Sequence, residues 1–417
     1  MLEHRFEARP RRTPWLTVIL AICAGMLAAF QVGKVHIALS SVRQSFSLGL
    51  ISASWILSAL SIVGLFAAIP TGTLGDRFGN KRIVIAGLLF IAVASALGGF
   101  SPSLPWLLFS RLIEGIGFVM VIVAAPTMIA EATAPESLRL ALAGWSAYMP
   151  GGIALITFLA PLILARHTWR ALWWVNAVAL LSMAAIIGLL AKGLNSVPSS
   201  AHKRGPLDEM KGVLTARGPV LLALIFGAYT MQHLSVMGFM PTLLRERFQI
   251  SETSIGLLVS IAMASNILGN LAAGVLLQRG VSRSRIIALT SIFMACMTVA
   301  MFVLPLTLPM FYGCAFAFSC VGGLVPSCVM GAAPYHTPEP SLLGATNGLL
   351  VQGSNLGTVI GPLLMSMIVT HFGWNWVPLL TGSSAAFAVL LAINMRANTH
   401  SHQELAPTEV IPVNEQI

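Results

Sequence analysis

The chain has 417 residues, 56% of them hydrophobic and only 9% charged, with mean hydropathy +0.85 and formal net charge +10. A soluble globular domain carries about 25% charge, so this composition excludes one and points to an integral membrane protein. The basic excess would suit a nucleic-acid partner, but it is distributed as loop charge around apolar segments, and no nucleic acid is expected to bind.

Apolar runs of roughly 20 residues span a bilayer. Twelve are predicted, at about 15–39, 52–74, 83–99, 105–130, 140–164, 171–191, 220–240, 254–277, 284–305, 308–331, 342–370 and 374–395. The first follows a basic tail, residues 1–14, and lacks a small-residue cleavage site, so it reads as a retained helix. With both tails on one side, that side holds 17 of the 24 Lys and Arg. The opposite loops hold five, and Lys34 and Arg111 lie inside segments. This asymmetry predicts cytoplasmic termini and an inner-membrane location. The five cysteines all fall in apolar segments without metal-type spacing and read as packing residues.

Segment 1 ends Gln31-Val-Gly33-Lys34-Val-His36. Gln31 and Lys34 share a helix face, whereas His36 is about 200° round from Lys34, so the two address different points. Lys34 either snorkels to the outer interface or serves as a cavity cation for an anionic substrate. His36 either relays protons or hydrogen-bonds inside the bundle.

Between segments 2 and 3 stands Gly72-Thr-Leu-Gly75-Asp76-Arg77-Phe-Gly79-Asn-Lys81-Arg82, read as a tight, basic cytoplasmic hairpin. It resembles the signature loop between helices 2 and 3 of major facilitator superfamily transporters. The resemblance implies a conformational switch carried by Gly72, Gly75, Asp76, Arg77, Gly79 and Lys81, with Asp76 set against the cytoplasmic ends of neighbouring helices.

Segment 4 opens Arg111-Leu-Ile-Glu114-Gly115-Ile-Gly117. Arg111 and Glu114, three apart, can pair, and the glycines permit close helix approach. A charge at bilayer depth normally faces a wet cavity or a partner. The motif is similar to the superfamily's helix-4 arginine motif, which implies a link between Arg111 and proton movement; the alternative is a structural ion pair. Segment 5 carries Tyr148-Met149-Pro150-Gly151-Gly152, which breaks the helix ladder for a kink or close packing. It resembles the antiporter motif of drug exporters, except that Met149 stands where that pattern has glycine. Glu114-Gly-Ile-Gly-Phe and the segment-5 run are also similar to the cyanate and nitroimidazole permease group.

A polar linker, residues 192–219, divides the segments six and six, giving bundles at 15–191 and 220–395 and a C-tail at 396–417. The halves echo each other: Gly72-Thr-Leu-Gly-Asp-Arg77 aligns with Gly274-Val-Leu-Leu-Gln-Arg279, and Ala160-Pro161 with Gly361-Pro362. Two parallel six-helix repeats are the architecture of the superfamily. The repeat is degenerate at Asp76, which becomes Gln278, and opposite Arg111, so charged chemistry is expected in the N-terminal half.

In segment 7, Tyr229 and His233 are four apart on one face and either read a substrate or form a satisfied core pair. In segment 11, glycines at four-residue spacing predict a packing face, with Gln352 and Asn355 as cavity ligands.

The fold class expected is all-α integral membrane, with twelve transmembrane helices in two pseudo-symmetric halves. There is no enzyme constellation, cofactor motif or metal spacing. The expected function is a secondary transporter that moves a small anion by proton-coupled alternating access and works as a monomer in the lipid bilayer. The alternative is proton-driven efflux of a drug or metabolite. The substrate-binding set is Gln31, Lys34, Arg111, Tyr229, His233, Gln352 and Asn355; Glu114 and His36 couple protons.

Overall fold

The computed structural model describes residues 13–134, 136–191, 206–339 and 342–403. Among these every element is helical. The N-terminal half contains α1 (Trp15–Ser45), α2 (Leu50–Phe78), α3 (Asn80–Gly99), α4 (Leu104–Ala132), α5 (Leu138–Ser146), α6 (Tyr148–Leu164) and α7 (Trp169–Leu190). The linker contributes α8 (Pro206–Leu214). The C-terminal half contains α9 (Arg217–Phe248), α10 (Glu252–Gln278), α11 (Arg283–Val303), α12 (Leu308–Gly322), α13 (Leu324–His336), α14 (Leu343–Phe372) and α15 (Val377–Gln403). Eleven stretches are long and apolar enough to cross a membrane, α12 and α13 counting as one. The pair α5–α6, bent by 44°, makes a twelfth. The break falls at Ala147, just ahead of Pro150, where the sequence places its kink.

These helices are apolar all round because both faces meet apolar surroundings, neighbours inside and lipid outside. Phe66, Val178, Leu271, Leu289 and Ile393 stay exposed on the molecule's flank, as a bilayer-embedded surface requires. Backbone polar groups are satisfied within each helix, the only economical arrangement in hydrocarbon besides a closed barrel.

The hairpin expected at 72–82 takes a different form. α2 runs through Phe78, and only Gly79, at φ 89°, separates it from α3. Positive φ suits glycine, which has no Cβ to clash. The surroundings of Gly72 and Gly75 and the side chains of Asp76 and Arg77 lie outside the described residues. Lys81 donates to the Gly188 carbonyl at 3.1 Å and the Ala191 carbonyl at 2.9 Å, at the C-terminus of α7, where a cation complements the helix dipole.

The repeat is written into the backbone. Gly79 has its mate in Gly280, also at positive φ, between the second and third helices of the other half. Ser47 and Gln249, the two non-glycine residues at positive φ, stand 202 positions apart, each just beyond the first long helix of its half. The halves meet through α2 against α14, α6 against α10, and α1 against α9.

Glycines set the closest approaches. A Cβ on Gly117 would strike the Gly87 carbonyl of α3, and one on Gly115 the Leu60 carbonyl of α2. On α14, Gly353, Gly357 and Gly361 lie against Ala223, Gly227 and Ser235 of α9, which is the packing face the four-residue spacing predicts.

This makes a direct comparison possible. Gly357→Ala forces its methyl onto the Gly227 carbonyl and should lower stability by about 1–3 kcal/mol. Gly313→Ala, with open space around it, should leave the thermal unfolding of the detergent-solubilised protein unchanged.

Candidate functional site

In the N-terminal half three buried charges converge. Lys34 of α1 donates from Nζ to Glu114 Oε1 of α4 at 2.7 Å and to Ser95 Oγ of α3 at 2.9 Å. The same ammonium lies 4.5 Å from the ring centroid of Trp173 on α7. Arg111 Nη1 pairs with Glu114 Oε2, and Arg111 Nε donates to the Ile56 carbonyl of α2 at 3.3 Å. Ser95 in turn donates to the Trp173 carbonyl at 2.9 Å. Each carboxylate oxygen of Glu114 therefore serves a different cation, and all three side chains are essentially inaccessible. Burying charge is tolerable only with such complete pairing.

Lys34 does not snorkel to the interface, as one reading of segment 1 had it: a carboxylate at contact distance outcompetes a reach of several residues through hydrocarbon. Nor does it face α9. Gln31, on the same side of α1, donates to the Leu27 carbonyl at 3.2 Å and leaves Oε1 unpartnered. His36 points the other way, as its angular offset requires. It lies at the junction with α9, where a Cβ on Gly238 would stand 3.5 Å from its Nε2.

The C-terminal half carries a neutral network in the middle of its span. His233 Nε2 meets Ser319 Oγ of α12 at 3.1 Å and the amide nitrogen of Asn266 on α10 at 3.4 Å. Asn266 also donates to Tyr229 Oη at 3.0 Å and to the Ser319 carbonyl at 2.9 Å. Asn270 and Ser327 of α13 extend the chain, with Asn270 donating to Asn266 Oδ1 at 3.0 Å and Ser327 to Asn270 Oδ1 at 2.9 Å. Phe226, Tyr229, His233 and Phe318 form a near-parallel ring ladder, with the His233 and Phe318 planes only 3° apart. Tyr229 and His233 are thus brought together as the spacing predicts.

Asn355 does not join either cluster. Its Nδ2 donates to the Val351 carbonyl at 2.9 Å, and its side chain lies directly on Gly64 of α2, at the junction of the halves. Gln352 is half-buried one turn away on α14.

Sequence reasoning missed Ser95, Trp173, Asn266, Asn270 and Ser319. The asparagines had a signal: two amides four apart in an apolar segment need partners at bilayer depth. Ser95 and Trp173 had none, since a lone serine or tryptophan is ordinary in such helices.

The sequence model described as Major Facilitator Superfamily matches residues 21–339 and, overlapping, 221–413. The methyl viologen resistance protein SmvA of Salmonella typhimurium is 28% identical over 234 residues, which is 55% of this chain and 46% of that protein. The multidrug efflux pump LfrA of Mycolicibacterium smegmatis is 27% identical over 227 residues, 53% of this chain and 44% of the pump. The alignments thus span less than half the length of these two relatives. The 3-(3-hydroxy-phenyl)propionate transporter of Escherichia coli is 25% identical over 400 residues, covering 92% of this chain and 94% of the relative.

The charge cluster predicts an order of stabilities. Glu114→Gln leaves two buried cations without a carboxylate and should cost about 3–5 kcal/mol. Lys34→Met leaves the neutral Arg111–Glu114 pair and should cost about 1–3 kcal/mol through lost hydrogen bonds. Thermal unfolding of the two purified variants checks the order.

Proposed function

The chain belongs to the Major Facilitator Superfamily, and from that premise we propose that it is a secondary transporter taking up a small organic anion with protons, by alternating access between its halves. The observation that carries this reading is the charge imbalance of the N-terminal cluster: two cations, one carboxylate and no water contact. An uncompensated buried charge is unfavourable, and an arriving anion removes it. Arg111 is the cation that moves. Swung toward a substrate carboxylate, it leaves Lys34 and Glu114 as a second neutral pair.

Support for an organic acid comes from the arylpropionate transporter, whose similarity runs through nearly the whole of both chains. The ring ladder at Tyr229 and His233, opposite in the C-terminal half, suits a planar substrate with a polar edge. Gln352 and Asn355 line the path on α14, and Gln31 does so on α1. Protons enter through His36 and Glu114, and Asp76 with its glycine and basic neighbours governs the switch. The excess of basic residues at the end where α1 begins supports the reading that both termini are cytoplasmic in a cell with an inner membrane. The resistance proteins favour the second reading, efflux of a drug or metabolite, over about half of the chain.

Uptake of labelled 3-(3-hydroxyphenyl)propionate and related arylcarboxylates into cells expressing the chain tests the reading. Uptake should rise with an inward proton gradient and vanish with a protonophore. Arg111→Gln should weaken substrate binding about 30-fold or more, roughly 2 kcal/mol. Arg111→Lys should also fail, because an ammonium lacks the bidentate fork. Resistance to methyl viologen without uptake of any acid would favour efflux and overturn the anion reading.

A further inference from the structure

Beyond the end of the bundle that the reading above makes periplasmic, the two halves are closed on each other. Arg245 of α9 donates to Ser40 Oγ of α1, and Arg43 stands 4.0 Å from Glu246. Ser366 of α14 donates to Ser54 Oγ of α2 at 2.9 Å, and Ser58 donates to the Val359 carbonyl at 2.9 Å. These polar ties between the halves all belong to the outer part of the seam. His36 lies beneath them, 3% exposed, wedged between α1 and the bare backbone of Gly238 on α9, with Leu57 of α2 alongside.

Two observations mark this histidine. Its Nδ1 is buried and has no hydrogen-bond partner. The charged and titratable groups around it are Arg111 of α4 and His233 of α9; the neighbour on α2 is the apolar Leu57. No carboxylate faces it among these. A neutral imidazole fits the seam at the expense of one unsatisfied nitrogen. An imidazolium would need two acceptors, and Gly238 and Leu57 offer none.

We propose that His36 is the proton-operated latch of the outer seam. A proton arriving from the outside converts the ring to imidazolium, and the closed seam then holds a cation with no acceptor for its buried Nδ1 and no counter-charge in contact. Separation of α1 from α9 admits water to both ring nitrogens and solvates the charge. The outer-closed state therefore loses stability as pH falls, and the outward-open state gains it. Proton arrival thereby opens the path by which a substrate anion reaches Arg111. The inference rests on the uptake reading for its direction, but the latch is testable without substrate.

The test measures the outer gap by spin-label distances in the full chain reconstituted in nanodiscs. Labels go on cysteines at Gln44 of α1 and Thr253 of α10, both exposed, after replacement of the five native cysteines. Between about pH 8 and pH 5, where histidine changes charge, a longer distance population should grow in the unmodified seam. His36→Gln should hold the short distance at both pH values. His36→Arg, charged throughout, should show the long distance at both. His233→Gln should keep the acid response. An unmodified seam that ignores pH, an acid response that survives His36→Gln, or a response lost only in His233→Gln would each overturn the latch. Should His36→Arg fail to fold, the comparison with His36→Gln still decides. Failure of arylcarboxylate uptake would leave these distances unchanged, so the two readings fail separately.

Discussion

The carboxylate of Glu114 is the point on which the N-terminal half is organised. One oxygen takes Lys34 from α1 and the other takes Arg111 from its own helix. Through those cations the same group reaches Ser95 on α3, Trp173 on α7 and the Ile56 carbonyl on α2. Five helices are tied to two oxygen atoms. Removing three charges from water carries a penalty of several kcal/mol per ion, recovered only while every partner stays in place. The cluster therefore ties α1, α2, α3, α4 and α7 together at one point. Apolar packing alone cannot do this in lipid, because helix and lipid surfaces are equally greasy.

The contrast with the seam between halves decides what can move. There the contacts are hydroxyls on hydroxyls or carbonyls, one guanidinium on a hydroxyl, and one partly exposed ion pair. A net hydrogen bond contributes about 0.5–1.5 kcal/mol, and an exposed ion pair about 0–1 kcal/mol. A handful of such ties amounts to a few kcal/mol in total, comparable to what a bound ligand or proton can shift. Rearranging the Glu114 cluster demands more. The weaker ties therefore lie along the seam where α2 meets α14, α6 meets α10 and α1 meets α9.

The sequence revealed the architecture because that part of the problem is local. Twenty-residue apolar runs, loop charge and the 202-residue echo each follow from the bilayer's thickness and electrostatics. Arg111 with Glu114 was legible for the same reason, being three apart on one helix. Lys34 was legible as costly but not as paired, since its partner is 80 positions away on another helix and only the tertiary fold brings them together. The neutral network failed to show for a different reason. Asn266 and Ser319 are chemically unremarkable, and their importance comes from facing the one histidine at the centre of α9. The hairpin was misjudged at its edges because glycines at 72 and 75 weaken a helix without ending it. Phe78 is still helical, and the turn needed only the positive φ of Gly79.

The repeat then explains why the chemistry is lopsided. Backbone turns are conserved between halves, as Gly79 with Gly280 and Ser47 with Gln249 attest. At the same offset the side chains diverge: Gln31 answers to His233, Lys34 to Val236, His36 to Gly238 and Gly64 to Asn266. A symmetric chassis with two charged clusters would double the burial penalty and offer the substrate two competing positive sites. The charge thus stands in one half, at α4, and the amides and rings in the other, at α9. Even the seam follows the rule: His36 can enter it because its own repeat mate is a glycine. A Cβ at 238 would already touch the imidazole at 3.5 Å and a longer side chain would crowd it, so the asymmetry of that one pair gives the junction a titratable group where its symmetric counterpart has only backbone.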